Sequence, residues 1–220
     1  MKKLFRRDSS AMERLSSLTD LMVLSILWLL CCLPVVTIGA STAAMYSVTF
    51  EMSRGDYGNT ASRFFAAFRS SFKSGTMVLL LSALPVVFST LLLLSMFSDI
   101  YPDAYVIKAL LSGPAIAILL TQGYLFPLVS QFECGCLTAY KQSFLLMAGN
   151  LLISLLIALI RVLPLLLTLF FPVLFLRTFF LWLLFGPALS ARIITIFLKK
   201  VFRPLRQEEA GTENAKEESP

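Results

Sequence analysis

The chain has 220 residues, of which 57% are hydrophobic and 15% charged, and its mean hydropathy is +0.81. An ordinary soluble domain carries about 25% charged residues, so this composition excludes a typical water-soluble protein. The net charge of +6 does not indicate nucleic-acid binding, because the basic residues flank apolar stretches, where Lys and Arg set orientation and contact anionic headgroups.

Long stretches of the chain carry no Asp, Glu, Lys or Arg. A helix crosses the hydrocarbon core of a bilayer with about 20 mostly apolar residues, because lipid offers no hydrogen-bond partner to an open backbone. The sequence therefore predicts an all-α, polytopic integral membrane protein with five or six transmembrane helices plus interfacial amphipathic helices. The uncharged windows are 21–50, 74–98, 109–132, 142–160 and, interrupted by Arg177, 162–191.

We divide the chain into three parts. Residues 1–20 form a basic N-terminal segment that the positive-inside rule places in the cytoplasm, and residues 21–206 form one membrane domain. Residues 207–220 contain five Glu, one Lys and no aromatic residue, which predicts a disordered acidic tail. A cleaved secretory signal is not favoured, because the apolar run after the basic segment exceeds the usual length of about 7–15 residues.

The first uncharged window is too long for one straight span. Its 30 residues would form a helix of about 45 Å, whereas the hydrocarbon core is about 30 Å thick. Pro34 removes an intrahelical hydrogen bond and Gly39 tolerates non-helical angles, so we expect a break between them. The window either crosses once, which leaves the basic N-terminus outside, or returns after the break. We favour the return, because it keeps both basic flanks on one side.

The next part of the chain has an amphipathic pattern followed by a second apolar stretch. Phe64, Phe68 and Phe72 recur every four residues over 60–73, and basic residues occupy the opposite arc. This arrangement predicts an interfacial helix, with its rings at the headgroup boundary or against a partner. A spanning helix is predicted over 75–97, followed by an acidic external loop.

Three further spans are expected in the second half of the chain, with a turn at Pro164. A last amphipathic segment carries Lys and Arg between 192 and 206, so the positive-inside rule predicts a cytoplasmic C-terminus. The three spans are 107–132, 144–162 and 165–185.

Arg177 is the strongest single candidate for a functional or structural role, because a charge halfway along a span costs several kcal/mol. Glu133, at the inner end of the third span, is the acid we expect to hold it. A structural ion pair or snorkelling to the interface is one interpretation, and an anion-binding role is the other. Arg161 ends the fourth span and is interpreted as an interfacial anchor. The candidate functional or structural residues are Pro34, Thr37, Gly39, Glu133 and Arg177.

The sequence offers little for catalysis or cofactor binding. It contains no His, and it lacks a carboxylate well inside any predicted span after Asp20. The Cys-Gly-Cys at 134–136 has no second ligand pair near it, so it does not indicate a zinc site. We therefore expect a protein that is not an enzyme, with no metal and no cofactor.

The segment 33–40, Leu-Pro-Val-Val-Thr-Ile-Gly-Ala, resembles the opening signature of the YesL-like family, a domain of unknown function. Ala40 stands where that family usually has Pro. The resemblance implies a multi-pass protein of the Gram-positive bacterial cell membrane, often encoded beside sugar ABC transporters. We therefore expect a non-catalytic accessory or regulatory component of carbohydrate (oligosaccharide) ABC-type uptake. Its expected partners are the lipid bilayer and sugar ABC transporter subunits, with no nucleic acid. A small-solute transporter is the alternative.

Overall fold

The computed structural model describes residues 2–55, 58–95, 105–132, 135–170 and 172–217. Throughout these ranges the regular structure is helical, so the prediction of an all-α protein is confirmed. The helices are α1 (Lys2–Cys31), α2 (Ile38–Arg54), α3 (Thr60–Ser95), α4 (Tyr105–Val129), α5 (Cys136–Gly149), α6 (Leu151–Phe170) and α7 (Pro172–Glu217), with a 3₁₀ turn over Val35–Thr37 between α1 and α2.

Three of the described helical segments are long and apolar enough to cross a membrane. They are Thr60–Ser95, Val106–Val129 and Phe179–Arg203. A fourth is reached if α5 and the first part of α6, which meet at 105°, are counted as one broken span. By length and composition, the described helices therefore give three or four spans, and the expected five or six are not reached.

The α1–α2 hairpin packs against the first half of α3. Arg63 forms a 3.6 Å ion pair with Glu51, and Gly39 lies against the backbone of Gly75. Glu51 and Gly39 are twelve residues apart on α2, and Arg63 and Gly75 are twelve apart on α3 in the opposite direction. The two helices are therefore antiparallel and in register over this length.

The start of the hairpin lies beside the start of α3. The Thr60 hydroxyl donates a 2.7 Å hydrogen bond to Oδ1 of Asp20, the residue just before the first uncharged window. Because α2 ends only a few residues before Thr60, the chain enters and leaves the hairpin at the same end of the bundle. This geometry favours the return of the first window over a single crossing.

Helix α2 lies in the centre of the bundle, between α3 and α7. Thr49 and Thr195 share a 3.1 Å hydroxyl contact, and Lys199 donates to the carbonyl of Ser53. Both pairs are 146 residues apart, so α2 and α7 run parallel here. The largest buried side chains around this contact include Phe50, Phe64, Tyr124, Leu128, Ile194 and Phe202.

The structure joins two segments that the sequence predicts to be separate. The amphipathic helix and the span expected over 60–73 and 75–97 form one helix, α3, about 54 Å long. They stay joined because no proline or turn residue other than Gly75 separates them, and the packing of α2 on Gly75 holds that residue helical. Pro85 is accommodated inside the same helix.

The predicted fourth span, 144–162, is broken at Gly149 and Asn150. Asn150 adopts φ −135° and ψ 54° and caps α5 by donating from its N–H to the Met147 carbonyl. Glycine and asparagine both have low helix propensity, which favours a break at this point. The expected turn at Pro164 is not at that residue, because α6 continues to Phe170.

Helix α7 also extends beyond the predicted boundaries. It begins at Pro172, a residue favoured in the first helical turn, and it passes through Gly186 and Pro187 without ending. It continues to Glu217, into the tail that the sequence predicts to be disordered. Ala, Glu and Lys have high helix propensity, which is the physical basis for this continuation.

Candidate functional site

The expected break is present between α1 and α2, and Pro34 and Thr37 form it. Pro34 is extended, with φ −78° and ψ 123°, and precedes the short 3₁₀ turn. The Thr37 hydroxyl lies 2.6 Å from the Cys31 carbonyl and 2.7 Å from the Pro34 carbonyl. Thr37 can therefore satisfy the Cys31 carbonyl, which the end of α1 leaves without a helical partner.

Side chains of α2 close the hairpin against the end of α1. Trp28 donates from Nε1 to the Thr42 hydroxyl at 3.3 Å, and Ser41 donates to the Trp28 carbonyl at 3.1 Å. The Cys32 thiol lies 3.5 Å from the Ser41 hydroxyl. These contacts fix the angle at which α2 leaves the turn.

Gly39 and Gly75 bring α2 and α3 into backbone contact. A Cβ placed on Gly39 would lie 2.2 Å from the Gly75 carbonyl oxygen and 2.9 Å from Leu79 Cβ. A Cβ on Gly75 would lie 2.9 Å from the Ala40 backbone. Thr76 adds a 3.3 Å hydrogen bond to the Val36 carbonyl. The break is therefore sealed by main-chain packing and leaves no space for even a methyl group at this contact.

The tip of the hairpin is apolar and exposed. Leu33 and Val35 are 77% and 72% exposed. The tip lies beside Gly75, near the point where α3 loses its charged residues and becomes continuously apolar. Such a surface requires lipid or another apolar partner, because water solvates it poorly.

Arg161, rather than Arg177, reaches into the bundle. Its guanidinium donates to the Gln122 carbonyl at 3.3 Å and to the Tyr46 hydroxyl at 3.2 Å. Gln122 in turn donates to the Tyr140 hydroxyl at 2.9 Å. Arg161 therefore joins α6 to α4 and α2 through neutral acceptors, and its interpretation as an interfacial anchor stays a prediction.

The other two predicted site residues are Arg177 and Glu133. Arg177 is exposed on α7, and within the described part of the chain it has no hydrogen bond or ion pair. Glu133 lies outside the described residues, so the expected contact between Glu133 and Arg177 stays a prediction. Of the five predicted site residues, the structure brings Pro34, Thr37 and Gly39 together.

A groove of about 760 Å³ opens beside the hairpin, between α3, the end of α4 and the start of α5. It is lined by residues 70–77 of α3, by 129–132 and by 135–138. Lys73 is the cation among the described lining residues, which also include Ser70, Ser71, Ser74 and Thr138. The groove was not predicted from the sequence, although the cluster of serines on one face of the amphipathic segment is visible there.

Apolar helices of membrane-spanning length, packed around α2, indicate a helical membrane protein. Residues 21–95 match the model of a family described as "Protein of unknown function, DUF624". The match covers the end of α1, the sealed break, α2 and all of α3. No curated protein and no solved structure matches the chain.

Proposed function

We propose that this protein is a non-catalytic accessory or regulatory component of ABC-type oligosaccharide uptake in the bacterial cell membrane. We further propose that it is a YesL-like protein of a Gram-positive bacterium, with five or six spans and a cytoplasmic C-terminus. The family match is consistent with the YesL-like part of this proposal, because it includes the segment 33–40 on which that resemblance rests.

The contact between Gly39 and Gly75 is the observation that carries the choice of class. Transporters often place the substrate at broken helices, where unwound backbone groups face a cavity. Here Gly39, in the first turn of α2, lies against the α3 backbone with no room for a methyl group, and the unwound Val36 carbonyl accepts a hydrogen bond from Thr76 of α3. A sealed break supports a fixed scaffold, as an accessory subunit requires, over a moving gate.

A small-solute transporter is the second candidate, and the groove beside α3 favours it. Its volume of about 760 Å³ lies within the usual range for small-ligand sites. Transport through this groove would depend on Lys73, the cation in its lining.

Co-purification in a mild detergent separates the two candidates. The accessory role predicts that the tagged full-length protein recovers a sugar ABC permease in stoichiometric amount from its native membrane, while an unrelated tagged multi-pass protein does not. Solute flux through the purified protein alone in liposomes would overturn this role. Flux that is lost in Lys73→Gln and kept in Arg69→Gln would establish the transporter instead.

Reporter fusions at Pro220 test the proposed orientation. A cytoplasmic C-terminus predicts a fluorescent fusion protein and an inactive alkaline phosphatase fusion. The opposite pair of results would refute the orientation without affecting the choice between accessory subunit and transporter.

A further inference from the structure

The groove between α3, α4 and α5 presents hydrogen-bond donors that the protein does not use. Ser71 is only 8% exposed and lines the groove, and within the described residues its hydroxyl has no hydrogen-bond partner. Lys73, two residues further along α3, likewise has no hydrogen bond or ion pair in that part of the chain. The Ser71 hydroxyl opens into the groove without a protein partner among the described residues, so it is available to a ligand there.

The start of α5 adds main-chain donors to the same wall. Gly135 caps this 14-residue helix without a side-chain hydrogen bond, and residues 135–138 line the groove. The first N–H groups of a helix have no partner within it, and the helix dipole favours a negative charge there. Thr138 contributes a further hydroxyl to this turn.

The chemical groups in the lining indicate which kind of ligand fits the groove. The described lining residues supply one ammonium group, the hydroxyls of Ser71 and Thr138, and the N–H groups at the start of α5. A phosphate group has several acceptor oxygens and a negative charge, which match these donors. We propose that this groove binds the phosphate group of an amphiphile, in the first place an anionic phospholipid.

The apolar part of the groove supports a lipid rather than a soluble phosphate ester. Met77 lies one turn beyond Lys73 on the same face of α3 and is 57% exposed, and Leu137 on α5 is 80% exposed. Lys73 is also the last charged residue before the uncharged window 74–98. The phosphate would lie at Lys73, and the acyl chains would continue along the apolar wall.

Native mass spectrometry of the full-length protein in an uncharged detergent tests this site. The probes are phosphatidylglycerol, diacylglycerol with the same chains, and inorganic phosphate. We expect phosphatidylglycerol to bind, diacylglycerol to bind at least about tenfold more weakly, and inorganic phosphate to displace the lipid poorly. Lys73→Gln should weaken phosphatidylglycerol binding about tenfold, and Lys73→Arg should retain most of it.

Arg69→Gln is the matched control, because Arg69 is an exposed cation one turn away on α3 that does not line the groove. We expect it to change binding by less than about twofold. Equal losses in Lys73→Gln and Arg69→Gln, or equal binding of diacylglycerol and phosphatidylglycerol, would overturn the proposal. Displacement by inorganic phosphate at concentrations similar to the lipid would support the phosphate site and identify a soluble ester as its ligand.

Discussion

The backbone contact between α2 and α3 predicts a large effect of one added methyl group. In Gly39→Ala the new Cβ would meet the Gly75 carbonyl oxygen at 2.2 Å and the Gly75 carbonyl carbon at 2.8 Å. Backbone atoms cannot rotate away as the end of a flexible side chain can. Helices α2 and α3 would therefore have to separate.

The magnitude follows from two opposing terms. Overpacking costs about 1–3 kcal/mol, and a clash with rigid backbone at Gly39 belongs at the upper end of that range. Alanine gains up to about 1 kcal/mol over glycine inside a helix. The net loss is about 2 kcal/mol, which lowers the unfolding temperature of a domain of this size by about 4–8 °C.

Thermal unfolding of the full-length protein in detergent, at one protein concentration and heating rate, measures this change. Gly113→Ala in α4 is the matched control, since a Cβ at that position has nothing within 4 Å. It should melt at the wild-type temperature or slightly above. If Gly39→Ala melts as high as Gly113→Ala, the close packing of α2 on α3 is wrong.

The remaining predictions use the same thermal assay. Thr37→Val removes the hydroxyl that closes the break and should cost about 1–2 kcal/mol, whereas Thr90→Val, on an exposed face of α3, should stay within about 0.5 kcal/mol. Equal effects would exclude a special role for Thr37. Arg161→Met should lose about 1–2 kcal/mol, because it leaves a partly buried hydroxyl without its donor. Arg177→Met should not destabilise the protein, since the Arg177 side chain is exposed. A larger loss of stability in Arg177→Met than in Arg161→Met would show that Arg177, and not Arg161, is the arginine that contacts the bundle.

The break in the first uncharged window could be predicted because its causes are local. Pro34 restricts the backbone of its own segment, whatever packs around it. Gly39, in contrast, is helical in α2, and its part in the hairpin is the close contact with Gly75. The return of the chain depends on distant pairs such as Asp20 with Thr60, which no local pattern reveals. The sequence therefore left two topologies open, and the tertiary contacts favour one.

The two arginines show why a buried charge is hard to locate from sequence. Arg161 and Arg177 both interrupt long uncharged stretches, and position along a predicted span suggested that Arg177 was the deeper one. Which arginine reaches the interior depends on the face of the helix it occupies and on the helix bounds. The break at Asn150 and the continuation of α6 to Phe170 changed the bounds of the helix that carries Arg161. They therefore also changed which neighbours Arg161 faces.

The groove beside α3 was missed for a related reason. Serines at 70, 71 and 74 are ordinary residues on a solvated or interfacial helix face. They become a site only when the start of α5 packs across from them, and that packing joins segments more than sixty residues apart. Spacing within one helix does not contain this information.

The central structural claim is that the first window returns to the side on which it starts, and thiol labelling tests it directly. In a variant without native cysteines, Leu18→Cys and Ala61→Cys place single thiols at exposed positions before the hairpin and just after it. A membrane-impermeant reagent should reach both from the same side, and Val106→Cys, at the far end of α4, serves as the marker of the opposite side. Labelling of Leu18→Cys and Ala61→Cys from the same side is the result we expect. Labelling of the two from opposite sides would show that the window crosses the membrane once and would contradict the sealed, returning hairpin.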